Sequence, residues 1–299
     1  MEHVKRNERI PVVQNGEPTQ KRKKKLNPPR IGTYVMLIIW SVYILVPFWI
    51  ILVTSLKTIP EAALADFTWW PKEGFHLEAY ERIFEDALIL RGFWNTLRFY
   101  VPTTIIGVLV SALSAYGFAK MEWSGRDAIF GFLMLTMMLP SAVTMTASRL
   151  IYDTIGWIGT PYPITIPGMF GTIGMVFFLR QYMKGIPNDL IGAAKVDGMN
   201  EMRIFVELIL PLSLPALLTQ ALLHFLSCYN NYLTALLYLI DEPLYTLQIA
   251  INALASNFNN DLPAQMAASF VGMMPMLIIY FVLQKYILKG ISMSSGLKG

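Results

Sequence analysis

The chain has 299 residues, 55% of them hydrophobic and only 15% charged, with a formal net charge of +4. A soluble domain carries ~25% charged residues, so the composition argues against a water-soluble enzyme and for a protein that lies mostly within a bilayer. The one cysteine, Cys228, excludes a disulfide within the chain, and the three histidines (His3, His76, His224) are too scattered to form a metal-ligand cluster.

Residues 1–30 are polar and basic, with the run Lys21-Arg22-Lys23-Lys24-Lys25 followed by Pro28-Pro29. They read as a disordered cytoplasmic arm. A basic run beside a span sets topology and attracts anionic lipid, and it is not read as a nucleic-acid site. The first span is expected at Thr33–Ser55, kinked at Pro47. It is too long for a signal peptide and ends in Thr54-Ser55-Leu56-Lys57, without a small-residue cleavage site. Residues 57–90 are polar and acidic, with Glu61, Asp66, Glu73, Glu78, Glu81, Glu85 and Asp86. A helix is expected at Leu77–Phe84, and Trp69-Trp70-Pro71 suits a membrane interface.

The second span is expected at Phe93–Ala119, with Arg98 near its outer end and able to snorkel to water. A short basic turn, Lys120–Asp127, leads to a third span at Ala128–Ser148 that contains Pro140. The fourth, Tyr162–Leu179, is rich in glycine and proline, which predicts close packing against a neighbour. A polar stretch separates it from the fifth span, Leu208–Tyr232. Asp241–Pro263 is expected to be an external loop carrying Asn257, Asn259 and Asn260, and the sixth span is Ala264–Gln284. If both termini are cytoplasmic, only Lys57, Lys72, Arg82, Arg91, Arg98 and Arg149 among the Lys and Arg residues fall outside, in accord with the positive-inside rule.

No P-loop, HExxH or GxSxG pattern occurs, so the chain has no ATP site and no hydrolase signature of its own. No span carries the buried Asp or Glu that proton- or sodium-driven carriers use. His224 could relay a proton, but a lone histidine in a span is more often hydrogen-bonded to a helix neighbour.

The one long polar interruption in the second half is 178–215. Pro187 cannot continue a helix, and Asn188 or Asp189 can cap the next one, Leu190–Val196. Gly198 stands where a left-handed C′ glycine would end that helix, and Asn200 can cap another running through Ile204, Phe205 and Leu208. Pro211 and Pro215 would bend it. The stretch is therefore a helix, a tight turn and a helix, with small residues (Gly192, Ala193, Ala194) on its first turns. An ordinary helical loop would look the same from spacing alone.

The run Gly192-Ala193-Ala194-x-x-Asp197-Gly198, with Ile209, Pro211-Leu212 and Pro215 after it, resembles the EAA loop of ABC importer permeases. Phe178-Leu179-Arg180-Gln181-Tyr182, Ile186-Pro187, Asn95-Thr96, Tyr116-Gly117-Phe118-Ala119, Met138-Leu139-Pro140, Tyr229-Asn230 and the terminal Gly296-Leu297-Lys298-Gly299 extend the match. Together they resemble MalG-like permeases of the carbohydrate-uptake class, from about Tyr34 onward. Where the motif has its glutamate this chain has Gly192, which bears on any charge contact made there and not on the helix-turn-helix shape.

The resemblance implies an all-α, polytopic, six-span protein of the type I importer (MetI-like) fold in a bacterial cell membrane. It implies a permease core at 91–285 with the coupling loop at 183–207, after residues 31–90, and a cytoplasmic tail at 286–299. It implies as partners an ATP-binding cassette ATPase dimer, a second, MalF-like permease and an external solute-binding protein. ATP would be bound by a partner, and this chain would hold no cofactor. Gly192, Ala193, Ala194, Asp197 and Gly198 would couple to the ATPase, and the acidic stretch 57–90 would help dock the binding protein. Among polar residues in or near spans, Tyr229, Asn230 and Asn231, with Asn95, are the candidate solute pathway; the same groups can simply glue helices together. A carrier working alone and a membrane scaffold for a soluble partner are the alternatives.

Overall fold

A computed structural model describes residues 28–64, 66, 68–85, 87–257 and 260–296. The Lys21–Lys25 run, Asp86, Asn259 and Leu297–Gly299 lie outside the described residues. The described residues contain helices and no strand. The chain divides into two units, residues 1–46 and 47–299.

The first helix, α1, is Pro28–Ser55. In the first unit its side chains are uncharged from residue 31 on, and those of residues 31–45 are exposed.

In the second unit, a small polar module follows the end of α1. Helix α2 (Ile59–Ala63) is capped by the Thr58 hydroxyl, which accepts from the Glu61 N–H. The Glu61 side chain is buried and accepts from the Lys72 backbone N–H (2.8 Å) and the Thr68 hydroxyl (3.3 Å), while Lys57 donates to the Thr68 carbonyl (2.9 Å). Burial works against its charge, yet the backbone N–H groups of Lys72 and Glu73, the Thr68 hydroxyl and Lys57 outweigh it and hold the carboxyl below its usual range. Part of the acidity read as docking surface is therefore internal glue. Helix α3 (Glu78–Glu85) follows, close to expectation. Its Arg82 pairs with the nearly buried Asp261 (2.8 Å), whose carboxylate also caps the last helix through the Ala264 N–H (2.9 Å).

Helix α4 (Ala87–Lys120) is the 34-residue pillar of the unit. The third expected span is divided into α5 (Arg126–Thr136) and α6 (Ser141–Thr154). Pro140 has no N–H and sits in an extended conformation (φ −62°, ψ 131°), so the helix stops before it and restarts after it. The fourth span is also broken, into α7 (Tyr162–Met169) and α8 (Ile173–Lys184), at Gly171, whose φ is +75°. Here the expected close packing is present. A Cβ on Gly107 of α4 would stand 2.5 Å from the Gly168 carbonyl oxygen, and one on Gly171 would strike the Ser111 hydroxyl.

Helix α9 is Asn188–Val196 and α10 is Glu201–Leu212, with a π-type stretch at Phe205–Ile209. Helix α11 (Leu214–Tyr229) leaves α10 at a 77° bend beside Pro211 and Pro215. After α12 (Tyr232–Tyr238) the structure corrects an expectation. The predicted loop 241–263 contains an eleven-residue helix, α13 (Leu247–Asn257), whose Leu247, Ala250, Ile251 and Leu254 are buried. Helix α14 (Leu262–Gly296) completes the described chain. Among the described residues four stretches are long and apolar enough to cross a membrane, in α1, α4, α7–α8 and α14, and the bent pair α10–α11 makes a fifth; the expected sixth, residues 128–148, is not among them, because α5 and α6 are each too short to span alone.

Two apolar cores result. One joins α3, the start of α4, α7, the end of α11, α12, α13 and α14. The other joins the end of α4, α5, α8, α9, α10 and the start of α11. The glycine crossing of α4 with α7 and α8 lies between them.

Candidate functional site

Helix α9 is held at its C-terminal end by backbone bonds local in sequence and at its N-terminal end by a side chain of α4. Pro187 occupies its N-cap position in an extended conformation, and no side chain caps it. This corrects the expected cap, for Asn188 Oδ1 instead accepts from Lys120 Nζ (2.7 Å) at the end of α4. Lys120 also donates to the Ile186 carbonyl. At the other end the Met199 N–H bonds the Ala194 carbonyl and the Gly198 N–H bonds the Lys195 carbonyl, both at 3.0 Å. With Gly198 at φ +79° this is a Schellman turn. Asn200 then caps α10 as expected, accepting from the Arg203 N–H (2.9 Å).

The two faces of α9 differ. Ile191 and Ala194 are buried in the core with Tyr182, Met183, Ile204 and Phe205. Asp189, Leu190, Gly192, Ala193, Val196 and Asp197 are exposed, Val196 at 89%. Of the predicted coupling residues, then, Gly192, Ala193 and Asp197 lie on the free face, Gly198 makes the turn, and Ala194 is part of the anchor.

Next to α9 the helices of the second core are tied by polar groups that sequence reading left unassigned. Arg180 of α8 is 6% exposed. Its guanidinium donates to the Phe118 carbonyl (3.1 Å) and to Asp127 (2.8 Å) and lies 4.0 Å from the centre of the Phe130 ring. Glu201, at the start of α10, accepts from the Tyr116 hydroxyl (2.6 Å) and pairs with Lys195 (2.7 Å). The Tyr116 ring packs 5.5 Å from Phe205. The end of α4 thus carries three fastenings, at Tyr116, Phe118 and Lys120. Glu201 was not singled out because its partners lie 6 and 85 positions away in sequence, in α9 and α4.

At the far end of the unit the predicted pathway residues separate. Tyr229 and Asn230 line a cleft of about 740 Å³ between α11, α13 and α14, together with Gln248, Asn252 and Ser269. The Tyr229 hydroxyl is itself engaged, donating to the Gly272 carbonyl (2.6 Å). Asn231 caps α12 through the Thr234 N–H and faces a second cavity of about 460 Å³ with Ser148, Tyr152 and Tyr238. Asn95 lines neither. Its amide donates to the carbonyls of Pro243 (2.8 Å) and Tyr245 (3.0 Å), and Thr96 Oγ1 accepts from the Leu247 N–H (2.9 Å), so Asn95-Thr96 fastens the start of α13. His224 Nε2 lies 3.7 Å from Cys228 Sγ one turn along the same helix.

Residues 106–293 match the family of binding-protein-dependent transport system inner membrane components. The chain belongs to this family. It is 30% identical over 275 residues to the osmoprotective compounds uptake permease protein GgtD of Synechocystis sp., covering 88% of this chain and 90% of that one. It is 30% identical over 213 residues to the arabinooligosaccharides transport system permease protein AraQ of Bacillus subtilis, covering 71% and 75%. Its backbone matches a chain in the crystal structure of a bacterial ABC transporter involved in the import of the acidic polysaccharide alginate, with a TM-score of 0.76 and 23% identity, over 91% of this chain and all of that one. This last likeness is one of fold.

The protein is a multi-pass membrane permease of a binding-protein-dependent ABC importer and not an enzyme. Permeases of this family hold no cofactor of their own. In this permease α9 presents small side chains, Gly192 and Ala193, on its exposed face while Ile191 and Ala194 anchor the opposite one.

Proposed function

We propose that this permease carries a sugar or oligosaccharide and that ATP hydrolysis by partner subunits drives it through α9. The substrate class rests on the relatives named for arabinooligosaccharides, alpha-glucosides and lactose. The observation that carries the coupling role is the asymmetry of α9: Ile191 and Ala194 inside, Gly192, Ala193 and Val196 outside, on a short helix clamped to the pillar helix. A groove on a cytoplasmic ATPase subunit can approach such a face closely because little side chain stands in the way. The loop and both termini are then cytoplasmic, an orientation supported by the basic residues around it, and a second permease and an external binding protein complete the importer. The cleft at Asn230, Gln248, Asn252 and Ser269 gives the solute hydroxyl-bonding amides beside apolar walls, the make-up of a sugar path. Tyr229 supports it from behind, Asn231 belongs to the neighbouring cavity, and Asn95 has a fastening role.

A cysteine at Val196 in a Cys228→Ser background tests the docking. It is expected to crosslink to the nucleotide-binding subunit in membranes, more in one nucleotide state than another. A crosslink that never forms while the transporter still works would overturn the docking. Transport by the purified permease alone in liposomes would instead favour a self-sufficient carrier.

A further inference from the structure

The turn between α9 and α10 is a Schellman turn closed by two backbone hydrogen bonds, with Gly198 at φ +79° and nothing within 4 Å of the place its Cβ would occupy. Those bonds hold the shape of the joint, and a side-chain link across it adds a path by which a displacement of α9 reaches other elements. Glu201 spans the joint. One carboxylate oxygen takes Lys195 from the last turn of α9 (2.7 Å), and the other takes the hydroxyl of Tyr116, a residue 2% exposed within the same core as Ile191 and Ala194 (2.6 Å).

We propose that Glu201 is a brace that stiffens the elbow and delivers the motion of α9 to the pillar helix α4 through Tyr116. This inference rests on the docking of α9 proposed above and goes beyond it by naming the positioning residues. The two limbs differ physically. The Tyr116–Glu201 bond is charge-assisted, short and rooted in a packed side chain, so it is the strong limb. The Lys195–Glu201 pair is about half exposed, and water screens it. A subunit seated on α9 excludes that water, so the brace tightens when the partner docks. Lys120, bonded to Asn188 at the opposite end of α9, supplies a second attachment to the same pillar, so α9 is gripped at both ends by α4. Arg203, by contrast, pairs along its own helix with Glu207 (2.9 Å) and, among the described residues, bonds to no other element through its side chain.

The assembled transporter in liposomes, with Cys228→Ser and a reporter Leu226→Cys on the exposed side of α11, tests this. Two quantities are read: ATP hydrolysis with co-purification of the ATPase, and the change in maleimide labelling of the reporter when ATP and vanadate trap the ATPase pair. In the background the labelling rate changes on trapping. Tyr116→Phe keeps the ring that packs on Phe205 and removes only the hydroxyl. Tyr116→Phe and Glu201→Gln are expected to keep hydrolysis and co-purification while the labelling change shrinks about tenfold, as loss of a charge-assisted bond predicts. Lys195→Met should fall between these and the background, and Arg203→Ala should match the background. A full labelling response in both Tyr116→Phe and Glu201→Gln would overturn the brace with the docking intact. Failure of the ATPase to co-purify with the background overturns the docking, and the brace with it.

Discussion

At the residue scale, two glycines of the same loop have opposite physics. Gly198 holds a left-handed φ of +79°, which a β-branched side chain resists. Gly192 sits in an ordinary helical turn with open space around its missing Cβ. Gly198→Val is therefore expected to cost about 1–3 kcal/mol of local strain and to lower co-purification of the ATPase about tenfold, with membrane insertion unchanged on a blot of the membrane fraction. Gly192→Glu should be tolerated, and should firm α9 by roughly 0.5 kcal/mol because glycine is a poor helix former. A Gly192→Glu permease that inserts but no longer binds its ATPase would mean that the partner groove has adapted to glycine. The sequence made Gly198 legible because the signal is local, a glycine just after a helical stretch. It did not make Asn188 legible, because the group that claims its oxygen, Lys120, comes from 68 positions away.

At the element scale, what could be read was again what depends on near neighbours: α3, α9, the cap of α10 and the glycine-rich contact of the fourth span. What could not be read was set by tertiary partners. Helix α13 hid between Pro243 and Pro263 among asparagines, and its buried stripe of Leu247, Ala250, Ile251 and Leu254 follows the helical period in a segment that composition marks as a loop. Its placement also reassigns Asn95. That amide satisfies the carbonyls of Pro243 and Tyr245 just before α13 begins, and Gly92 one turn earlier lets Ala250 approach, a Cβ there standing 2.9 Å from that of Ala250. Asn95→Ala should therefore lower thermal stability in detergent by about 1–3 kcal/mol, the cost of leaving buried acceptors unpaired. It should leave solute affinity unchanged in whatever fraction stays folded. A mutant of normal stability with weakened solute binding would return Asn95 to the pathway.

At the scale of the whole molecule, the two cores divide the labour. Under the proposed coupling the core around α9 would receive force; the core around α13 and α14 walls the cleft, and α4 runs through both, with Gly107 against the break in the fourth span between them. A pillar that belongs to both cores can transmit a state from one to the other without a contact between the sites themselves. To move such an equilibrium from 1:99 to 99:1 the closed ATPase pair must favour one permease state by ~5.5 kcal/mol, which two docked loops, one per permease, divide between them. This scheme needs α9 and the module around Glu61 on opposite sides of the bilayer. In intact cells carrying Cys228→Ser, an impermeant maleimide should label a cysteine at Glu73, exposed beside Lys72, and spare one at Val196. In inverted vesicles the pattern should reverse. Labelling of Val196→Cys from the outer medium would place α9 where no cytoplasmic ATPase reaches it, and the exposed small-residue face would then need a different partner.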